Sequence, residues 1–342
     1  MPREEEFQTF DQPDGKPVEA PRPFAHAEMV ACDACLRANP PTRMNCLYCG
    51  AALPATVQSA ALRRPTLKRL EEWERGFNVV LLPRAASTLK PDALEEAAKL
   101  LRLDAHRFGE IVASGRALPL ARTASAEEAE LIVGRLRAQG LAAEVFADEV
   151  LARAPVRVRA LDFEEGALVC RQGPEAEPRV LPFEEIALLV AGRIVVRRVE
   201  VAERKRRFGG RSEVVEAREL ASDEAVLDIY AARDGEGFRI MSGGFDYSCL
   251  GAEKGLLAAE NFGKLVATLR GLAESAVLDD DYMRLRPLLG DAWPPGEHTA
   301  SLGVRREGAG RVNTEAVTTV SNEAQFTRYG RLRQHFILRA RQ

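Results

Sequence analysis

Apolar residues fall along the chain in blocks whose period changes. Residues 1–28 carry Pro and Glu with no apolar period, which predicts a disordered arm. The run FNVVLL, Phe77 to Leu82, predicts a buried strand. Pro91 then opens a helix in which Leu94, Ala97, Ala98 and Leu101 recur at helical spacing. Asp104 is placed to cap a second helix carrying Phe108, Ile111 and Val112. A short strand, ALPLA, follows, with Pro119 pointing to an edge. Ser125 and Glu128 have the spacing of a capping box, and the helix they start buries Ala129, Ile132, Val133 and Leu136 and stops at Gly140. LAAEVFA closes this unit as a strand.

Beyond residue 155 the period shortens. VRVRALDF, GALVCRQ, RVLPF, IALLVAGRIVVRRVEV, VVEAREL, AVLDIYAA and FRIMSGG read as strands. A helix comes next, with Leu256, Leu257, Phe262, Leu265, Val266 and Leu269 as its apolar face. Short strands with one closing helix predict a small barrel. After a polar stretch, Phe326, Tyr329, Leu332 and Phe336 fall within one broad stripe of a helix over 322–338, with Arg328, Arg331 and Arg333 beside or opposite it. Between Leu53 and Phe77, LKRLEEWER suggests a short helix with Leu70 and Trp73 on one side.

The fold class read from these blocks, together with the paired cysteines Cys32/Cys35 and Cys46/Cys49, is multidomain α+β: a zinc ribbon, a small β-α-α-β-α-β domain, and a mostly antiparallel, barrel-like β domain closed by a helix. The order is a disordered arm (1–28), the ribbon (29–54), a linker (55–76), the α+β domain (77–150), the β domain (155–274) and a C-terminal segment with a basic helix (275–342).

The ribbon rests on Cys32, Cys35, Cys46 and Cys49, which read C-x2-C-x10-C-x2-C. Each C-x2-C step lets one tight turn aim two sulfurs at a point, and two such turns close a tetrahedral thiolate site. Asn39-Pro40-Pro41 supplies turn chemistry between them, and Gly50 stands where such a knuckle needs positive φ. Four thiolates leave no open coordination position, so the cofactor expected is one structural Zn2+ ion with no catalytic role.

Cys32, Cys35, Asn39, Pro40, Pro41, Cys46, Cys49, Gly50, Ala51 and Leu53 resemble bacterial zinc ribbons of the C-x2-C-x3-N-P-P…C-x2-C-G-A-x-L type. The Ran-binding-protein type of zinc finger shares the cysteines, Asn39 and Arg43, and members of it bind single-stranded RNA. Val30 stands where those fingers usually carry Trp. Residues 77–148, ending in SAEEAELIVGRLRAQGLAAEVF, resemble the C-terminal domain of the ribosomal stalk protein and the related fold of the ClpS adaptor. Residues 155–274, through RVLPFEEIALLVAGRI, resemble pleckstrin-homology-like domains. Members that bind inositol phosphates place basic residues in the first hairpin, where this chain has Asp162, Glu164 and Glu165.

A formal net charge of -3 over 342 residues leaves no chain-wide nucleic-acid footprint. Residues 301–342 are the local exception, with eight Arg against three Glu. The acidic start MPREEEFQTF lacks the apolar core of a secretory signal, and no uncharged run approaches the roughly 18 residues of a bilayer span. The expected location is the bacterial cytoplasm, without membrane partners. Heavy use of Arg and Ala with little Lys suggests a GC-rich genome.

Other chemistry-bearing residues read as structural. His26, His106, His298 and His335 are scattered and read as surface histidines. Cys170 and Cys249 read as inert thiols. RKRRFGGR (204–211) reads as a solvated hairpin loop, Asp279-Asp280-Asp281 as a helix start, and SGGFDYSCLGAEKG lacks the spacing of a phosphate loop. The function expected is a non-enzymatic adaptor or scaffold with protein partners. One alternative is an RNA- or ribosome-associated factor using Arg37, Arg43, the 204–211 loop and the basic C-terminal segment. A second is an enzyme with an unrecognised site in the β domain.

Overall fold

The computed structural model describes residues 24–54, 59, 62–71, 73–83, 91–173, 175–205, 212–233, 235, 237–308 and 311–341. The arm expected over 1–28 and the loop 204–211 therefore lie mostly outside the described residues. The chain forms two compact units, residues 1–64 and 65–342.

The first unit holds a two-stranded antiparallel sheet, β1 (Val30–Ala31) and β2 (Ala38–Asn39). An isolated bridge pairs Asn45 with Ala52 across the second cysteine turn. Among the described residues, Val30, Cys32, Cys46 and Leu53 form its buried hydrophobic cluster, too few for a self-sufficient core. Arg63 is buried and donates to the carbonyls of Leu53 (3.0 Å) and Pro54 (2.6 Å), tying the following segment back to the ribbon.

The second unit begins with the predicted β-α-α-β-α-β order. β3 (Phe77–Leu81) lies between β4 (Leu118–Thr123) and β5 (Ala143–Ala147), antiparallel to both. Pro119 sits on the edge strand β4, beside a register shift, where its missing N–H is tolerated. The helices are α1 (Pro91–Leu101), α2 (Ala105–Ala113) and α3 (Ala126–Ala138). Asp104 accepts from Arg107 N and Ser125 from Glu128 N, as expected of N-caps. The Glu128 carboxylate does not complete the capping box with Ser125. It is buried and accepts from Thr66 N (2.5 Å), Thr66 Oγ1 (2.8 Å) and Leu67 N (2.8 Å). That contact pins the incoming chain onto α3. Among the described residues, the short helix expected within LKRLEEWER does not form: residues 67–71 carry no helix, a turn stands at Trp73, Leu70 is buried, and Trp73 is 78% exposed.

After the short helix α4 (Asp148–Leu151) come β6 (Val156–Val158), β7 (Ala160–Glu164), β8 (Ala167–Arg171), β9 (Arg179–Pro182), β10 (Ile186–Lys205), β11 (Ser212–Ala231) and β12 (Gly237–Met241). Helix α5 (Ala258–Leu272), β13 (Val277–Asp279), α6 (Tyr282–Leu289), β14 (Gly296–Gly308), β15 (Arg311–Ser321) and α7 (Glu323–Ala340) complete the chain. β7, β8 and β9 make one three-stranded sheet. A seven-stranded sheet runs β14-β15-β10-β11-β12-β6, with β13 parallel to β10. One sheet curls as a half-barrel, so the fold is mixed α+β with several sheets.

Three expectations change here. The stretches VVEAREL and AVLDIYAA are one 20-residue strand, β11, paired along its length with an equally long β10. The polar stretch before the last helix is a hairpin, β14–β15, zipped onto β10. Leu256 and Leu257 precede α5 and are exposed, while Phe262, Leu265 and Leu269 carry its buried face.

The long central sheet has two buried faces, because successive strand residues point to opposite sides. Leu188, Val190 and Ile194 join the core built by β3–β5, α1–α3, α6 and α7. Ile186 and Leu189 join the other core, with β7–β9 and α5. The hydrophobic core thus crosses the boundaries expected at 150 and 275. Phe326, Tyr329 and Leu332 of α7 are buried as expected, and Phe336 packs against the same core. Arg328 and Arg331, expected beside or opposite the stripe, are buried as well, because α7 is covered on nearly every side. Arg331 is tolerated there because it donates to Arg153 O (2.8 Å), Gly235 O (3.0 Å) and Gln334 Oε1 (3.0 Å). Gly330 allows the approach: a Cβ on it would lie 2.4 Å from the Tyr230 hydroxyl oxygen.

Candidate metal centre

The two cysteine turns are closed in the same way. In the first, Leu36 N donates to Cys32 O (2.7 Å) and Cys32 N to Arg37 O (3.0 Å). In the second, Gly50 N donates to Cys46 O (3.1 Å) and Cys46 N to Ala51 O (2.8 Å). Both turns put the residue after their second cysteine in the left-handed region, Leu36 at φ 59° and Gly50 at φ 76°. Glycine does this at no steric cost, as expected at position 50; leucine does not.

The turns bring all four sulfurs together. Cys32 and Cys49 Sγ are 3.6 Å apart, Cys35 and Cys46 Sγ 3.5 Å, and all four ligand atoms lie within 4.8 Å of one another. Thiolates at about 2.3 Å from a tetrahedral metal have S···S edges of about 3.8 Å, so the cluster is of a size to hold one metal ion.

Asn39, read from sequence as a turn former, does more. It is fully buried, and its amide donates to Cys46 Sγ (3.5 Å) and Arg37 O (2.8 Å) while its carbonyl accepts from Leu47 N (2.8 Å). Tyr48 N also donates to Cys46 Sγ (3.4 Å). Such donors orient a thiolate and offset its charge. As a free thiol, Cys46 is raised by burial, but donors from Cys49, Tyr48 and Asn39 outweigh this and bring it to about 6. Arg37 N–H lowers Cys35, yet burial and the neighbouring thiols push it up to about 12. Four close sulfurs resist carrying several negative charges until a cation shares them.

The other residues singled out from sequence do not join a site. His26, His106 and His298 are exposed, whereas His335 is half-buried, edge-on to Phe146 (4.9 Å between centroids) and Phe336 (5.6 Å). Burial pushes the Cys170 thiol up to about 12 and raises Cys249 as well, the wrong direction for a nucleophile. Asp279 accepts from Tyr329 Oη (2.7 Å) and Arg333 Nε (2.6 Å), and Asp281 binds Arg284 and Arg116, so these two carboxylates are engaged by arginines. Among the described residues, the four cysteines are the group of ligating side chains placed to hold a metal, and no helix is long and apolar enough to cross a membrane. The chain matches no family model, no curated protein and no solved structure.

Proposed function

We propose that Cys32, Cys35, Cys46 and Cys49 hold one structural zinc ion, and that the chain is a non-enzymatic adaptor whose two cysteine turns dock on a protein partner. The observation that carries the docking reading is Leu36. It is 82% exposed and sits at a φ that costs an L-residue roughly 1–2 kcal/mol, at the place where the second turn uses glycine. Folding gains nothing from a strained leucine pointing into water. A partner that covers it does.

Leu47 (54% exposed) and Tyr48 (56%) extend the surface from the second turn. The Arg37 guanidinium lies 4.7 Å from the Tyr48 ring centroid, so the two turns share one patch with a polarised aromatic in it. Aromatic and arginine anchors inside an apolar patch are the usual composition of protein-binding hot spots. Stacking of Arg37 on Tyr48 occupies one ring face, which leaves less of a platform for single-stranded RNA. The resemblance of 77–148 to the stalk-protein domain is supported by the order of β3, α1, α2, β4, α3 and β5. That of 155–274 to pleckstrin-homology-like domains is supported by α5 packing into the core that β7–β9, β10 and β11 share. A cytoplasmic location belongs to the same reading, since a four-thiolate site needs reducing conditions.

The variant Leu36→Gly tests the docking. Its metal content should be unchanged and its stability altered by less than about 1 kcal/mol, because relief of the strained φ offsets glycine's greater chain entropy. Affinity capture from the native organism should recover a nuclease-insensitive protein partner with the wild-type chain, and Leu36→Gly should reduce its recovery about tenfold. Recovery that disappears with nuclease, or is indifferent to Leu36, Leu47 and Tyr48, would sink the adaptor reading.

A further inference from the structure

The second unit contains a cleft of about 1010 Å³ whose lining holds no cysteine. That is at the upper end of the range for small-molecule pockets, about 300–1,000 Å³, and suits a longer, extended ligand. Three observations say what kind.

Sheet edges come first. β4 ends its three-stranded sheet and β14 ends the seven-stranded one. Leu120–Arg122 of β4 and Gly296–Thr299 of β14 both line the cleft. An edge strand offers a row of unpaired N–H and C=O groups that another strand can complete.

The side chains of the lining are the second observation. Trp73 lines the cleft with its side chain largely in solvent, beside the buried apolar Leu70. Among the described residues, neither the Arg69 nor the Arg102 guanidinium, both exposed in the lining, meets a carboxylate. Glu71 and Glu297 line it as well. Mixed charge of this kind suits a peptide with one well-placed carboxylate and disfavours the unbroken anionic backbone of a nucleic acid.

Strain is the third. Of the three described non-glycine residues with positive φ, Leu67 (46°) and Arg102 (56°) line this cleft. Backbone held in such a conformation clusters at binding sites, where the surrounding structure over-determines it.

We propose that the cleft binds an extended peptide segment of a partner protein. The peptide adds as a strand to the edge of β14, sets an aromatic or apolar side chain on Trp73, and gives a carboxylate to Arg69 and Arg102. This site is separate from the cysteine turns and stands or falls without them.

A library of random peptides displayed on phage, selected on the full chain, supplies the probe. Selected sequences should share an aromatic or large apolar residue and an Asp or Glu. Trp293 is fully buried, so a change in tryptophan emission on peptide binding reports Trp73. By fluorescence anisotropy of the labelled peptide, Trp73→Ala, and separately Arg69→Glu with Arg102→Glu, should each weaken binding about tenfold or more, the charge reversal also abolishing salt dependence. Amide exchange should slow in 296–300 on binding. Leu36→Gly should bind the peptide as wild type does, which keeps failure here distinct from failure of the docking surface above. The proposal is overturned if no peptide enriches, if selected peptides bind those variants undiminished, if protection appears away from β14, or if single-stranded oligouridylate shifts Trp73 emission and the peptides do not.

Discussion

Truncation after Ser321 should abolish cooperative folding of residues 65–342. The deletion removes α7, and with it Phe326, Tyr329 and Leu332, each at most 1% exposed. At roughly 1.5–3 kcal/mol for each large apolar side chain, the loss is on the order of 5–9 kcal/mol, comparable with the whole stability of a typical domain. Polar partners go too. Arg239 and Asp228 form a buried ion pair (2.7 Å), and Arg239 is further held by Glu323 (2.9 Å) and Thr327 (3.0 Å) of α7. Asn322 accepts from Val195 N (2.6 Å) and donates to Arg193 O (3.0 Å), and Gln325 donates to Trp293 O (2.6 Å). Deleting these partners strands buried charges and carbonyls, which costs more than the bonds themselves contributed. Thermal unfolding followed by near-ultraviolet circular dichroism should show no cooperative transition in the truncated chain. A melting temperature equal to wild type would show that α7 is not part of the core.

Removal of the metal should unfold the ribbon and leave the second unit intact. Among the described residues, the hydrophobic cluster of the first unit is Val30, Cys32, Cys46 and Leu53. Apparent zinc binding by small thiolate modules is worth about 10–16 kcal/mol, far more than such a core supplies, so binding energy there is folding energy. The amides of Cys32 and Cys46, bonded to Arg37 O (3.0 Å) and Ala51 O (2.8 Å), should exchange slowly in the loaded protein and freely after chelation. Amides of β3 and β10, which belong to the other compact unit, should exchange at the same rate in both. Lost protection in β3 or β10 would mean that the units are energetically coupled.

The site was more legible in the sequence than the architecture around it. Cysteine spacing reveals the ligand set because two short turns need no distant partner to form. Gly50 is readable for the same reason, since glycine at the end of a knuckle announces positive φ. Leu36 is not, because nothing in a leucine signals a left-handed backbone. Asn39 could be read as a turn residue, but its bond to Cys46 Sγ depends on the fold closing over it. Helix caps at Asp104 and Ser125 were local and legible, while Glu128 was recruited by Thr66 and Leu67, 62 and 61 residues away.

Non-local pairing explains the largest difference. The β14–β15 hairpin carries small and polar residues such as Thr299, Ser301, Thr318 and Thr319, and among its residues Val317 is buried. With no apolar alternation to mark it, the hairpin depends on pairing with β10, from Val196↔Ser321 to Lys205↔Val312. α7 was readable as a helix from its aromatic stripe. Its burial on nearly every side was not, since Arg328 and Arg331 look like solvent-facing positions until their partners are in place.

The most direct test is the zinc content of the purified full-length chain, by elemental analysis and by native mass spectrometry, beside a Cys46→Ser variant. One zinc per wild-type chain, lost in the variant together with protection of the ribbon amides, is the predicted result. A ratio near zero, or a ratio unchanged by Cys46→Ser, would contradict the claim that these four cysteines hold a structural zinc.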